Sequence, residues 1–141
     1  MKFLGFKRKD SSVGVRNHVL ILPSCACASE TCRVVASQVL GTKNVIINVG
    51  CSDVTANTEM TQRVLTGFAL NANVFGVVVI GLGCETVGHR ELAEKIRMLS
   101  DKPVVSFGIQ QKDLKHHTLL FAACLPLQPF SEPPQRQELL F

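Results

Sequence analysis

Four short apolar runs punctuate the chain, and between them apolar residues return every three or four positions. The runs are His18–Leu22 (HVLIL), Asn44–Val49 (NVIINV), Val74–Ile80 (VFGVVVI) and Pro103–Ile109 (PVVSFGI). Short continuous runs closed by Gly, Pro, Ser or Asp read as strands buried on both faces. Between the first two runs, Ala28, Cys32, Val35 and Val39 form one helical stripe, with Ser24 or Ser29 as N-cap and Gly41 as the stop. Met60, Val64, Leu65 and Phe68 form a second stripe, expected to face the core. A third helix is predicted over His89–Leu99, with Leu92, Ile96 and Leu99 inward. The resulting order, β-α-β-α-β-α-β, predicts an α/β fold: a Rossmann-like three-layer α/β/α domain with a mostly parallel sheet of about four strands.

The two ends read differently. Met1–Asn17 looks like a basic lead followed by a turn at Asp10–Gly14. From Gln110 to Phe141 no steady period survives: Leu119–Cys124 is apolar, and Pro126, Pro129, Pro133 and Pro134 crowd the rest. The expected division is a regular domain over residues 1–111 and an irregular tail over 112–141. With 141 residues in all, one domain is the natural size.

Composition narrows the class. Hydrophobic residues make up 46% with no Trp and no Tyr, so the core must be built from aliphatic side chains. The net charge is +4, and much of the excess sits at Lys2, Lys7, Arg8, Lys9 and Arg16. Such a cluster can hold an anion, although short charge clusters are more often solvated surface. No long basic stripe interleaved with aromatics is present, which argues against nucleic acid as a partner. No run approaches the length of a membrane span and no signal-like apolar stretch opens the chain, so the expectation is a cytoplasmic protein without a membrane partner. In that compartment the six cysteines are read as free thiols or metal ligands.

Parallel sheets collect ligands beyond the carboxyl ends of their strands. Three of the predicted strands end in cysteine-bearing turns: Cys25 and Cys27 after the first, Gly50-Cys51 after the second, Gly83-Cys84-Glu85 after the third. An ionised cysteine is a nucleophile or a soft metal ligand, yet a free cysteine commonly packs as a small hydrophobe. Cys32 lies on the apolar helical stripe and is assigned to the core, and Cys124 is treated as incidental. Cys25-Ala26-Cys27 is a C-x-C, unlike the pairs of a zinc ribbon. Gly81-Leu82-Gly83 is followed by Thr86 where a dinucleotide fingerprint needs its third glycine, so NAD is not expected. Arg16 and Asn17 suit recognition of a carboxylate and a hydroxyl, and Asn57 and Arg63 lie on a polar helix face together with Thr58, Glu59 and Gln62. His89 opens a helix, and His116 and His117 fall in the tail; none is assigned as a general base.

These words also resemble a known family. Gly5–Asp10 with Ser12–Ile21 (GFKRKD…SVGVRNHVLI) resembles the opening of the main domain of altronate and galactarate dehydratases, a family that includes the sulfolactate sulfo-lyase large subunit. The Gly50-Cys51 turn, Thr61-x-Arg63-x-Leu65-x-Gly67, Asn73-Val74-x-Gly76-Val77 and Gly81–Glu85 (GLGCE) carry the likeness to about Ile109. The resemblance implies a lyase that eliminates water or sulfite from a sugar acid or related hydroxy-carboxylate, usually with Fe2+ or a similar divalent ion. On this basis Glu85 is carried over as the catalytic candidate, Arg16, Asn17, Asn57 and Arg63 as substrate-binding residues, and Cys27, Cys51 and Cys84 as metal ligands. The implied partners are a small carboxylate and a homo-oligomer or partner subunit. Family chains look much longer, so a truncated and inert remnant is one alternative. A thiol-based metal or redox module built on Cys25, Cys27, Cys51 and Cys84 is the other.

Overall fold

The computed structural model describes residues 2–51, 55–111 and 137–140. In chain order its elements are β1 (Lys2–Lys7), β2 (Val13–Gly14), β3 (His18–Pro23), a 3-10 turn (Ala26–Ala28), α1 (Ser29–Gln38), β4 (Thr42–Asn44), α2 (Thr55–Leu70), β5 (Val74–Gly81), α3 (His89–Leu99), β6 (Val104–Gly108), a second 3-10 turn (Ile109–Gln111) and β7 (Gln137–Leu140). Four strands form a parallel sheet in the order β4-β3-β5-β6. This is the Rossmann-like α/β/α architecture expected from the alternation of runs and stripes.

Side-chain alternation along the two central strands divides the core. Leu20, Leu22, Val77 and Val79 point to one face, where Leu65 and Ala69 of α2 and Leu92, Ala93 and Ile96 of α3 meet them. Val19, Ile21, Val78 and Ile80 point to the other, against Cys32 and Val35 of α1. Successive strand residues face opposite ways, so β3 and β5 must be apolar throughout to serve both layers. Full burial of each large aliphatic side chain stabilises the fold by roughly 1.5–3 kcal/mol. Cys32 is fully buried within this packing, as its place on the stripe implied.

Several expectations are corrected. The second strand is only Thr42–Asn44, because β4 is an edge strand that pairs with β3 alone and then peels away. The Ser29 hydroxyl draws it off, donating to the Ile47 carbonyl and accepting from the Ile47 amide, both at 3.2 Å. Ser29 therefore does not cap α1, and neither does Ser24: the N-cap is Ala28, with no side-chain hydrogen bond.

On α2 only Leu65 of the predicted stripe is buried; Met60, Val64 and Phe68 are exposed, and Thr61, Leu65 and Ala69 face the core instead. Helical periodicity alone could not decide between two faces that both carry apolar residues. On α3, Leu92 and Ile96 are buried, whereas Leu99, at the last turn, is 57% exposed.

The termini also differ from the reading. β1 and β2 pair antiparallel, and β7 pairs antiparallel with β1 through Lys2–Leu140 to Gly5–Gln137. Residues 137–140, assigned to an irregular tail, are thus a strand of a small separate sheet, ordered β2-β1-β7. Leu119–Cys124, His116, His117 and the four tail prolines lie outside the described residues. Arg8 fastens the N-terminal strap to the strand-start end of the parallel sheet. Its guanidinium donates to the Ala72 carbonyl and the Asn17 amide oxygen, each at 2.8 Å, and to the Arg16 carbonyl at 3.1 Å.

Candidate functional site

The strand order fixes where a ligand can enter. β3 leads through α1 to β4 on one side, and the chain then returns across to β5 on the other. The reversal makes β3 and β5 the switch-point pair, with a crevice beyond their carboxyl ends. The three predicted cysteine turns meet there. The Ala26 amide donates to the Val49 carbonyl at 2.8 Å, and the Thr86 amide to the Gly50 carbonyl at 3.0 Å. Gly50 is at φ +107°, and a Cβ on it would lie 2.8 Å from the Cys25 Cα and the Ser24 carbonyl oxygen. Only glycine combines that backbone with so close an approach.

Glu85 is the centre of this edge. One carboxylate oxygen, Oε2, accepts from the amides of Leu82 at 3.1 Å and Gly83 at 2.5 Å. The other, Oε1, accepts from the Ser24 hydroxyl at 3.2 Å, the His89 amide at 3.2 Å, and lies 2.9 Å from His89 Nδ1. Its side chain is 1% exposed. Burial pushes this carboxyl up, but the Gly83 amide and then the His89 ring outweigh it and hold it down at about 2. A carboxylate this acidic and this fully bonded is suited to positioning its neighbours.

The neighbour it positions most directly is His89. The sequence places His89 at a helix start without a role, and the structure buries it at 5% exposure and pairs it with Glu85. With Glu85 ionised, Nδ1 carries the shared proton, and in the neutral ring Nε2 is the acceptor. The signal was legible: Glu85 and His89 stand four residues apart around the start of a predicted helix.

Cys27 and Cys51 are exposed and their sulfurs lie 3.7 Å apart. Contact with Cys27, followed by burial and the Cys25 thiol, pushes the Cys51 thiol up to about 11. Cys84 is exposed on the third turn, and Cys25 is buried beneath the first. Among the described residues no three His, Cys, Asp or Glu side chains come together to hold a metal ion. Two thiols are an incomplete donor set, and soft ones, for a hard-to-intermediate divalent ion. The metal assignment of Cys27, Cys51 and Cys84 thus has a neighbouring pair at its heart but no complete shell.

The substrate-binding candidates are split. Asn57 and Arg63 are exposed on α2, whose first turns approach the same edge: Gln62 bonds Glu91 in the first turn of α3 at 3.1 Å. Arg16 and Asn17 precede β3 and sit at the opposite end of the sheet, roughly 20 Å away for six extended residues. The Asn17 side chain is held by Arg8, and the Arg16 amide donates to the Asn73 side chain at 3.0 Å. A single small acid bound at the Glu85 edge does not reach them.

That opposite end holds a cavity of about 480 Å3 lined in part by Lys7, Arg8, Lys9, Arg97 and Lys102. Its cations are largely committed to backbone. Lys102 donates to the Ala69 and Asn71 carbonyls at 2.9 and 2.6 Å, and Arg97 to the Val104 carbonyl at 2.8 Å. They close the ends of helices and strands, so much of their donor capacity is already used on backbone carbonyls.

Residues 5–123 match the family model of the D-galactarate dehydratase/altronate hydrolase second domain. The chain is 33% identical over 121 residues to the (2R)-sulfolactate sulfo-lyase subunit beta of Chromohalobacter salexigens, covering 86% of this chain and 30% of that protein. It is 30% identical over 109 residues to the altronate dehydratase of Bacillus subtilis, covering 70% and 21%. With the altronate dehydratase of Escherichia coli it shares 29% over 118 residues, covering 77% and 24%. The chain therefore spans less than a third of the length of each of these relatives. No solved structure matches it. A match over residues 5–123, most of the chain, means that this chain belongs to the D-galactarate dehydratase/altronate hydrolase second-domain family.

Proposed function

We propose that this chain contributes the switch-point edge of a lyase that removes water or sulfite from a hydroxy-carboxylate. One observation carries the reading: in a member of this family, a buried carboxylate–imidazole pair sits at the crevice between the two central strands. Elimination requires loss of a weakly acidic proton beside a carboxylate, hence a positioned base and donors for the developing negative charge. Here Glu85 is the positioning residue, holding the His89 ring proton on Nδ1. His89 Nε2 is the proton acceptor. Asn57 and Arg63, exposed on α2, are assigned to the substrate carboxylate. Arg16 and Asn17 act at the far end of the sheet, where they anchor the N-terminal strap.

The divalent ion implied by the family resemblance does not find its full donor set among the described residues, so no step is routed through it here. No helix among the described residues is long and apolar enough to cross a membrane. We place the protein in the cytoplasm, working with a partner subunit or a second copy. The relative from Chromohalobacter salexigens is itself a subunit beta.

The test is product detection. Reduced protein is incubated with altronate, galactarate or sulfolactate, with and without added Fe2+, and 2-oxo acid or sulfite is measured. Product from one acid, lost in His89→Ala and reduced in Glu85→Gln, is the expected result. No product, together with no acid binding by calorimetry, overturns the reading in favour of a folded but inert domain.

A further inference from the structure

The exposed pair Cys27 and Cys51 has a use that the elimination chemistry does not require. We propose that these two thiols are a modification site that small-molecule disulfides convert reversibly into an intramolecular Cys27–Cys51 disulfide, stapling the turn after β3 to the turn after β4. The proposal does not rest on the lyase reading.

Three observations carry it. The sulfurs already touch at 3.7 Å. A disulfide needs about 2.05 Å, so they must close by about 1.7 Å. The two backbones are tied together immediately beside the pair: the Ala26 amide bonds the Val49 carbonyl at 2.8 Å, and Gly50 packs against Cys25. The two sulfurs therefore do not need to find each other across mobile chain. Both side chains are exposed, so an oxidant can reach them, whereas Cys25 and Cys32 are buried and Cys84 has no thiol in contact with it among the described residues. Buried cysteines are inert by comparison.

The chemistry balances with glutathione disulfide as the oxidant. The thiolate of one cysteine attacks one sulfur of glutathione disulfide; that S–S bond breaks and one glutathione thiolate leaves. The second cysteine, as thiolate, attacks the protein sulfur of the mixed disulfide and expels the second glutathione. Two protein thiols are oxidised, one glutathione disulfide is reduced to two glutathiones, and the two protons pass to the departing thiolates.

The experiment uses the full chain carrying Cys124→Ser, to prevent links between molecules, equilibrated in glutathione buffers of graded oxidation. Free thiols are counted, mass is measured, and the oxidised protein is digested for peptide mapping. The expected result is the loss of two of the five remaining thiols, a 2 Da decrease, a Cys27–Cys51 cross-linked peptide, and full reversal by dithiothreitol. Cys84→Ser leaves this unchanged, while Cys27→Ser and Cys51→Ser each abolish it, with circular dichroism confirming that both remain folded. A Cys25–Cys51 link, stable glutathionylation without ring closure, or five thiols persisting where a control dithiol protein is oxidised would each overturn the proposal. Should a serine variant fail to fold, the cross-linked peptide from the Cys124→Ser parent decides alone.

Discussion

Replacing Glu85 with Gln isolates the charge at the centre of the strand-end edge. The amide keeps the size of the side chain but turns one acceptor oxygen into a donor. If the amide nitrogen takes the Oε2 position, the backbone amides of Leu82 and Gly83 face a donor; in the other orientation, the Ser24 hydroxyl and the His89 amide lose their acceptor. A buried polar group left unsatisfied costs about 1–3 kcal/mol, so the expected loss at pH 7 is about 2–4 kcal/mol.

The pH dependence checks the same number independently. The Glu85 carboxyl is held at about 2 in the fold against an ordinary 4.5. The unfolded chain thus takes up its proton first as the pH falls. The carboxylate's contribution is fully present above about 4.5 and is lost as the pH drops towards 2, a gap worth about 3 kcal/mol. Stability is best followed by urea unfolding monitored with far-UV circular dichroism, since the chain has no Trp or Tyr to report by fluorescence. Wild type should lead Glu85→Gln by about 2–4 kcal/mol at pH 7, with the lead shrinking between pH 4.5 and 2. Parallel stability profiles across that window, or a difference below about 0.5 kcal/mol at pH 7, would refute the assignment of Glu85 as the ionised brace.

Other perturbations test separate parts of the structure. Gly81→Ala would drive a Cβ into Glu85 Oε1 and to 2.7 Å from the His89 ring, so it should destabilise by about 1–3 kcal/mol and shift the His89 ring resonances in NMR. Leu65→Ala should cost about 2–5 kcal/mol in urea unfolding, whereas Val64→Ala beside it should cost less than about 1, which distinguishes the core face of α2 from its exposed one. If Cys27 and Cys51 are oxidised, the closed loop between positions 24 apart should stabilise the chain by about 3.5 kcal/mol on the chain-entropy model, read as a rise in the urea midpoint that dithiothreitol reverses.

Most of the parallel sheet was legible because its signal is local. The central strands β3 and β5 must be apolar on both faces, and a run such as Val77–Ile80 has no other economical placement in an α/β domain. The edge strand was overread for the opposite reason: Val45 to Val49 has the composition of a strand, but a single serine hydroxyl on α1 captures the Ile47 backbone and ends the ladder. The stripe on α2 failed because two apolar faces compete on that helix, and only the neighbours Leu20, Val77 and Leu92 decide which one is buried. The pairing of β1 with β7 joins residues at the two ends of the chain, a contact that no local pattern encodes.

The site divides along the same line. By itself the order of residues determined that Cys25, Cys27, Cys51, Cys84 and Glu85 would gather at one edge, because parallel strands all deliver their carboxyl ends to the same side. Only the tertiary structure decided that Glu85 is a saturated brace, that His89 is buried against it, and that Cys27 touches Cys51. It also decided that Arg16 and Asn17 stand a strand's length away. The reason is physical: sequence order assigns a residue to an end of a strand, whereas burial, hydrogen-bond partners and distances below 4 Å depend on how separate turns pack against one another.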